Sequence, residues 1–156
     1  MYGSNAERSK AAKDRTAEAG AAEKAVSSND PESYQRAASA HHSAVWANES
    51  AGNQTQAEKH RKAAKQFQDK ADQHYRAKSF AESEGRAADQ ASKDAGLRAF
   101  GEGKDDDRSE QDLHKAASEA HDRAGKAAEL AKLPREAKYH ATRSAEHAAK
   151  AAPEES

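Results

Sequence analysis

Histidine is the residue type here best suited to chemistry near neutral pH, and the chain has 8 of them. A neutral imidazole binds transition metals, and it takes up a proton near pH 6.5. Two metal ligands on one helix usually lie three or four positions apart. His140 and His147 are seven positions apart, which is about 10.5 Å of helix axis. The spacing therefore predicts no pair of histidine ligands on a single helix, and a functional metal site would have to be built across helices.

Four histidines instead lie on seams of small apolar residues in predicted helices. There they are expected to be medium-sized, half-buried packing residues. Because burial disfavours a charged imidazole, we expect these rings to be neutral at pH 7 and the seams to loosen on acidification. The predicted pH-sensitive seam residues are His60, His74, His140 and His147.

Catalytic patterns are missing from the sequence. It contains 0 Cys, no glycine-rich phosphate loop and no Gly-x-Ser-x-Gly element. Its many carboxylates lie at positions where the helical pattern exposes them, so none is forced into an apolar pocket that would tune it. The sequence predicts a protein that is not an enzyme, with no catalytic or cofactor-binding residue and no small-molecule substrate.

The composition determines the fold class. Of 156 residues, 39 are Ala, 2 are Val and 0 are Ile, while 34% are charged. Strands need β-branched and aromatic residues, whereas Ala, Lys, Arg, Glu and Gln are strong helix formers. The longest uncharged stretch, 37–48, is too short to span a membrane. We predict an all-α bundle without a signal peptide or transmembrane segment, cytoplasmic in the producing cell.

Start and stop signals divide the chain into five helices, or six if the third breaks near Gly85. Ser4 and Ser109 have N-cap spacing, and Asp30 precedes a proline that suits a first helical position. One domain, 1–156, is expected. Its predicted parts are an N-terminal helix at 5–28, a first hairpin with a long second helix at 31–99, an acidic Gly/Asp loop at 100–108 and a second hairpin at 109–152.

The two hairpins look like copies of each other. Segments 34–72 and 113–152 align with an offset of 79 positions in the first helix and 80 in the second, which matches His42 to His121. Folding each hairpin about its turn sets a large residue against Ala in many of the pairs, three of four in the first hairpin. It pairs Val45 with His60 and Ala117 with His147. The sequence therefore predicts an internal repeat of Ala-packed αα-hairpins.

Four aromatic residues are candidates for partner contact, because aromatic side chains anchor many interfaces. They are Trp46, Tyr75, Phe80 and Phe100. Packing on the first helix or on segment 86–100 is the alternative. The net charge of -1 argues against nucleic acid as a partner, despite a basic stretch at 59–78. Protein partners or self-association are expected, and no membrane partner.

The sequence of the first hairpin also resembles that of known proteins. The run Ala57-Glu-Lys-His60-Arg-Lys-Ala-Ala64 follows a turn with the residues Ala51-Gly-Asn53. This sequence resembles Ala/His-rich helical hairpins of bacteriophage virion proteins and of small uncharacterised bacterial proteins. The resemblance covers roughly 34–75 and, more weakly, 113–151. It implies a structural or accessory virion subunit, a virion location if the chain comes from a phage, and no catalytic residue.

The leading prediction is a non-enzymatic structural or interaction subunit of a larger assembly. Low hydropathy and high charge also suit a stress- or desiccation-type hydrophilin that is largely unfolded alone. A histidine-based metal-binding protein is the second alternative, and none of its metal ligands can be assigned from spacing.

Overall fold

The computed structural model describes residues 3–102 and 107–153. Residues 103–106, in the predicted acidic loop, lie outside this range. The regular elements of the described residues are the helices α1 (Asn5–Lys24), α2 (Glu32–Ser50), α3 (Gln54–Ala99), α4 (Glu110–Leu130) and α5 (Pro134–Ala151). The all-α prediction is confirmed. Across the described chain, no helix is both long enough and apolar enough to cross a membrane.

The capping signals work at two of the three predicted helix starts. The Ser4 hydroxyl accepts a hydrogen bond from the Glu7 backbone N–H at 3.2 Å, and the Glu7 carboxylate accepts one from the Ser4 N–H at 2.6 Å. Ser109 accepts from the backbone N–H of Asp112 at 3.1 Å. These bonds satisfy N–H groups that the first helical turn leaves unpaired.

The start of α2 differs from its prediction. Pro31, and not Asp30, occupies the N-cap position, and no side chain caps this helix. The Asp30 carboxylate is hydrogen-bonded to Arg36 instead. Both partners are charged in the bond to the guanidinium, whereas a helix N–H is a neutral donor, so the carboxylate pairs with Arg36 rather than with the helix end.

The third helix passes through Gly85 without a break and ends at Ala99, so of the two alternatives the five-helix one is observed. A mid-helix glycine costs about 1 kcal/mol relative to alanine. Here Gly85 is buried and lies between Ala81 and Ala88, which both pack in small apolar clusters with α4 residues. Tertiary packing therefore offsets the local preference.

The chain separates into two compact units, Met1–His74 and Tyr75–Ser156. Unit 1 contains α1, α2 and the first part of α3, and unit 2 contains the rest of α3 with α4 and α5. The boundary lies inside α3, within the segment predicted as the long second helix of the first hairpin. Each unit is thus a set of three consecutive helical segments.

The interior of both units is made of alanine. Apart from Leu113, every buried hydrophobic residue of the described chain is Ala, and the largest fully buried side chain is that of His121. An Ala seam lets helix backbones approach closely, but each methyl group buries little area. Histidine rings are therefore the bulkiest material inside this protein.

The turns that close the two hairpins have the same geometry. Gly52 (φ 78°) and Lys132 (φ 59°) both adopt the left-handed conformation. The following N–H groups, of Asn53 and Leu133, donate back across the helix ends to the carbonyl groups of Asn48 at 2.8 Å and of Ala128 at 2.9 Å. This is the Schellman arrangement of helix C-termini, and each residue of one turn lies 80 positions from its counterpart.

The common turn sets a common register, and it corrects the predicted pairing. His60 is hydrogen-bonded to His41, one helical turn from the predicted partner Val45. His147 is hydrogen-bonded to His114, three residues from the predicted partner Ala117. Spacing along each helix does not specify the path of the turn backbone, and that path determines which residues stand opposite each other.

Candidate functional site: buried histidine clusters

Unit 1 contains one buried pair of histidines. The Nδ1 atoms of His41 and His60 lie 2.9 Å apart, and both rings are buried. An N–H···N bond needs one donor and one acceptor. Only one of the two Nδ1 atoms can therefore carry a proton, and protonation of both would break the hydrogen bond.

Other side chains surround this pair on the α1 side. The Nε2 atom of His60 lies 3.3 Å from the Thr16 hydroxyl, which also accepts from the Asn48 amide at 3.1 Å. The Nε2 atom of His41 makes no hydrogen bond within the described residues and lies 3.4 Å from a Glu23 carboxylate oxygen. One ring of the pair is thus capped by a hydroxyl, and the other faces a carboxylate.

Unit 2 contains four histidines joined through one serine. Nδ1–Nδ1 contacts connect His121 to His140 at 2.8 Å and His114 to His147 at 2.9 Å. The Ser92 hydroxyl lies 2.7 Å from the Nε2 atoms of both His121 and His147. These five side chains, from α3, α4 and α5, form one continuous chain of hydrogen bonds.

The hydrogen bonds of this chain have a direction. The Ser92 hydroxyl has a single proton, so it donates to one ring and accepts from the other. When all four rings are neutral, the ring to which Ser92 donates its proton determines the tautomer of every ring. At one end, the Nε2 atom of His114 lies 3.7 Å from a Glu110 carboxylate oxygen. This carboxylate favours a proton on that nitrogen. Each hydrogen bond of the series is then donated in the direction from His140 towards Glu110.

Burial keeps several of these rings neutral. It is the main cause that lowers the pKa of His121 to about 4, and the proximity of His140 adds to it, while Asp89 opposes the shift. Burial likewise lowers the pKa of His60, with His41 as the next cause, and the pKa of His147, with Arg143 as the next cause. A charged imidazole loses hydration in such a site without gaining a full counter-charge.

The first helical segments of the two units differ where they face the histidine pair. Thr16 lies beside His60 in unit 1, and Gly85 lies beside His140 in unit 2. With this alignment, an offset of 69 positions, the buried Ala12 and Ala19 match the buried Ala81 and Ala88. The same offset matches Gly20 to Asp89. Unit 1 therefore has a hydroxyl above its histidine pair and no carboxylate at the second position, whereas unit 2 has no hydroxyl there and has the Asp89 carboxylate.

Unit 2 has a cavity of about 370 Å³ next to His140. Its lining includes Gly85, Asp89 and His140. The Nε2 atom of His140 makes no hydrogen bond to any described residue. His140 as a whole is only 6% exposed. One ligand atom each from Asp89, His121 and His140 lie within 4.8 Å of one another, and the Tyr139 hydroxyl donates to Asp89 at 3.1 Å.

The predicted seam histidines take different positions. His60, His140 and His147 are buried, and His74 is half-buried. Three more rings are buried that were not among the predicted pH-sensitive residues, those of His41, His114 and His121. The repeat contained a signal for two of them, because His41 and His60 lie 80 positions before His121 and His140. The predicted match of His121 to His42 was wrong, since the offset is 80 in both helices and His42 is exposed.

The predicted partner-contact residues all have exposed side chains. Trp46 is 69% exposed, Phe100 87% and Phe80 58%, and Tyr75 is also exposed. Trp46 borders an open groove of about 280 Å³ between the start of α1 and the end of α2, whose lining also includes Ala11 and Ala47. The structure brings none of these four residues into the histidine clusters.

Comparison with known proteins found no match. The chain matched no protein family model, no curated protein and no solved structure. The resemblance to virion hairpins therefore remains a prediction.

Proposed function

We propose that this chain is a non-enzymatic structural or interaction protein, a subunit of a larger assembly that binds protein surfaces through exposed aromatic side chains. The observation that carries the proposal is the distribution of side chains. The interior consists mainly of Ala and His, while Trp46, Phe80 and Phe100 are exposed. Large apolar side chains are normally the core of a domain, so their exposure supports a role in binding.

The energetics of the interior support the same proposal. Burial stabilises a protein by about 25 cal/mol for each Å² of apolar surface, and alanine contributes little of it. A single aromatic side chain can bury roughly 150–250 Å². Covering the exposed aromatic residues would therefore add a large share of the apolar burial that the alanine interior lacks.

Self-association is the form of assembly that we propose. A net charge of -1 creates almost no long-range repulsion between copies. The groove beside Trp46 is mainly apolar in its lining, with Glu7 and Arg8 as its charged members. Such a groove, bordered by an aromatic ring and by charges of both signs, suits an amphipathic helix of a second copy.

The test is a circular dichroism melt at two protein concentrations about fiftyfold apart, combined with sedimentation. We expect strong helicity and a midpoint that rises with concentration. As the chain has 1 Trp, the fluorescence of Trp46 should shift to shorter wavelength on association. Trp46→Ser should weaken association at least tenfold, and the exposed Lys62→Ser is the matched control.

Two results would contradict this proposal. A monomer at every concentration excludes self-association. Weak helicity with a broad melt that does not depend on concentration would favour the hydrophilin alternative, a chain that is ordered only by a partner or by drying.

A further inference from the structure

We propose that unit 2 binds one divalent transition-metal ion of the zinc class through Asp89, His121 and His140. Among the described residues, these three form the one group of at least three His, Cys, Asp or Glu side chains whose ligand atoms lie within 4.8 Å of one another. They come from three different helical segments, so no spacing along a single helix could reveal them. The site does not depend on the proposed self-association.

The three ligand atoms lie within 4.8 Å of one another before any ion is bound. Bonds of about 2.0–2.1 Å in a tetrahedral zinc site place ligand atoms about 3.3 Å apart. Asp89 is exposed, so its carboxylate can close the remaining gap by a change of rotamer. The Tyr139 hydroxyl already holds that carboxylate, and such hydrogen bonds commonly orient metal ligands.

His140 provides the nitrogen that is ready for a metal. Its Nδ1 atom is hydrogen-bonded to His121, whereas its Nε2 atom, which borders the cavity, makes no hydrogen bond to a described residue. When Glu110 favours a proton on Nε2 of His114, the direction of the hydrogen-bond chain places the proton of His140 on Nδ1. The Nε2 lone pair then faces the cavity, and a neutral imidazole with a bare nitrogen is a metal ligand. Both nitrogens of His121 are hydrogen-bonded, so the ion would take the Nδ1 lone pair that accepts from His140, and that hydrogen bond would be given up while Nε2–H still donates to Ser92.

Gly85 provides the room for an ion. A Cβ atom at this position would lie 3.2 Å from Nε2 of His140, within the space that a bound ion would use. In unit 1 the matching residue is Thr16, whose hydroxyl lies 3.3 Å from Nε2 of His60. The two units therefore differ at the two positions that matter, because unit 2 has Gly85 and Asp89 where unit 1 has Thr16 and Gly20.

Further charged groups line the cavity. They are Lys78, Glu82, Arg86 and Glu136. Glu136 is four positions before His140 on α5, a spacing that lets two side chains reach one ion, so it is the candidate fourth ligand, with water as the other choice. Imidazole with carboxylate suits Zn²⁺, Cu²⁺ or Ni²⁺, whereas Ca²⁺ and Mg²⁺ prefer oxygen ligands alone.

The experiment is a titration of the full-length, chelator-treated chain with Zn²⁺ in a calorimeter, repeated with Co²⁺ to observe visible absorption of the bound ion. We expect one ion per chain. Asp89→Asn should weaken binding at least tenfold. Gly85→Thr, which introduces the residue of unit 1, should do the same, and its helicity in the absence of metal checks that it still folds.

Two control variants make the test specific. His42→Ala removes an exposed histidine, and Thr16→Gly opens the matching position of unit 1, where no carboxylate replaces Gly20. Both should bind Zn²⁺ within twofold of the unchanged chain. The proposal is overturned if the unchanged chain takes up no ion, if Asp89→Asn binds equally well, or if His42→Ala abolishes binding.

Discussion

His121 and His140 face each other with their Nδ1 atoms 2.8 Å apart, and His41 and His60 repeat this contact at 2.9 Å in the other unit. In each pair one ring donates and the other accepts. The repeated unit of this protein is therefore an alanine-packed hairpin closed by a buried histidine pair, and its stability depends on how these rings are protonated.

Acidification should destabilise the chain. The pKa of His60 is lowered in the folded state, so below about pH 6.5 the unfolded chain binds more protons than the folded one. The contribution of this ring to the free energy of unfolding is then fully present above pH 6.5 and decreases as the pH falls. The pKa of His121, lowered to about 4, corresponds to roughly 3 kcal/mol by pH 4. Thermal melts in chelator at pH 7.5, 6.5 and 5 measure the effect.

A control variant tests the source of this pH dependence. His60→Asn retains a polar group near the Nδ1 position but cannot take up a proton, so the decrease in melting temperature from pH 7.5 to 5 should be smaller. If helicity and melting temperature stay constant over this range in the unchanged chain, the buried placement of the histidines is wrong.

Removal of the Ser92 hydroxyl should break the chain of hydrogen bonds in unit 2. Ser92→Ala leaves the Nε2 atoms of His121 and His147 without their shared partner, and an unsatisfied buried polar group costs about 1–3 kcal/mol. Urea unfolding measures the loss. Ser83→Ala, at an exposed position of the same helix, should change stability by less than about 0.5 kcal/mol, and an equal loss in both variants would contradict the bridging role of Ser92.

Deletion of the His121 side chain should be among the most damaging single changes. This ring is 0% exposed and is the largest fully buried side chain. His121→Ala should lower the free energy of unfolding by roughly 2–5 kcal/mol, as expected for a cavity left by a large buried group. His42→Ala is the matched control and should be close to neutral. Denaturant titration of the metal-free chain separates the two.

Substitutions in the two hairpin turns should change stability in opposite directions. Lys132 adopts a positive φ of 59°, which strains a side chain with a Cβ atom, so Lys132→Gly should stabilise unit 2 by up to about 1 kcal/mol. Gly52→Ala, at φ 78°, should destabilise unit 1 by about 1 kcal/mol. Melting temperatures that move in the same direction for both variants would contradict the shared turn geometry.

Local sequence was sufficient for much of the architecture. Ala, Lys and Glu favour helices in any context, and Ser4 and Ser109 mark helix starts through bonds to residues three positions away. Gly52 marks the first hairpin turn because a left-handed residue is needed there. These interactions are short-ranged, so spacing along the chain reveals them. The helical class and most helix boundaries follow from them.

Other features required the tertiary structure. The continuity of α3 through Gly85 depends on packing against α4, and the capping role expected of Asp30 was lost to Arg36. The hairpin register depends on the backbone path of the turns, and a shift of three or four residues exchanges His41 for Val45 as the neighbour of His60. Local propensity contains none of this information.

The sequence by itself determined an all-α, alanine-rich chain with histidines on its seams, and it left open whether the aromatic residues pack inside or face outward. Only the tertiary structure decided that the rings meet in Nδ1 pairs, that Ser92 joins two of these pairs, and that Asp89 approaches His121 and His140. The physical reason is that a helix places side chains every 1.5 Å along its own axis, whereas distances between helices depend on how their small residues pack.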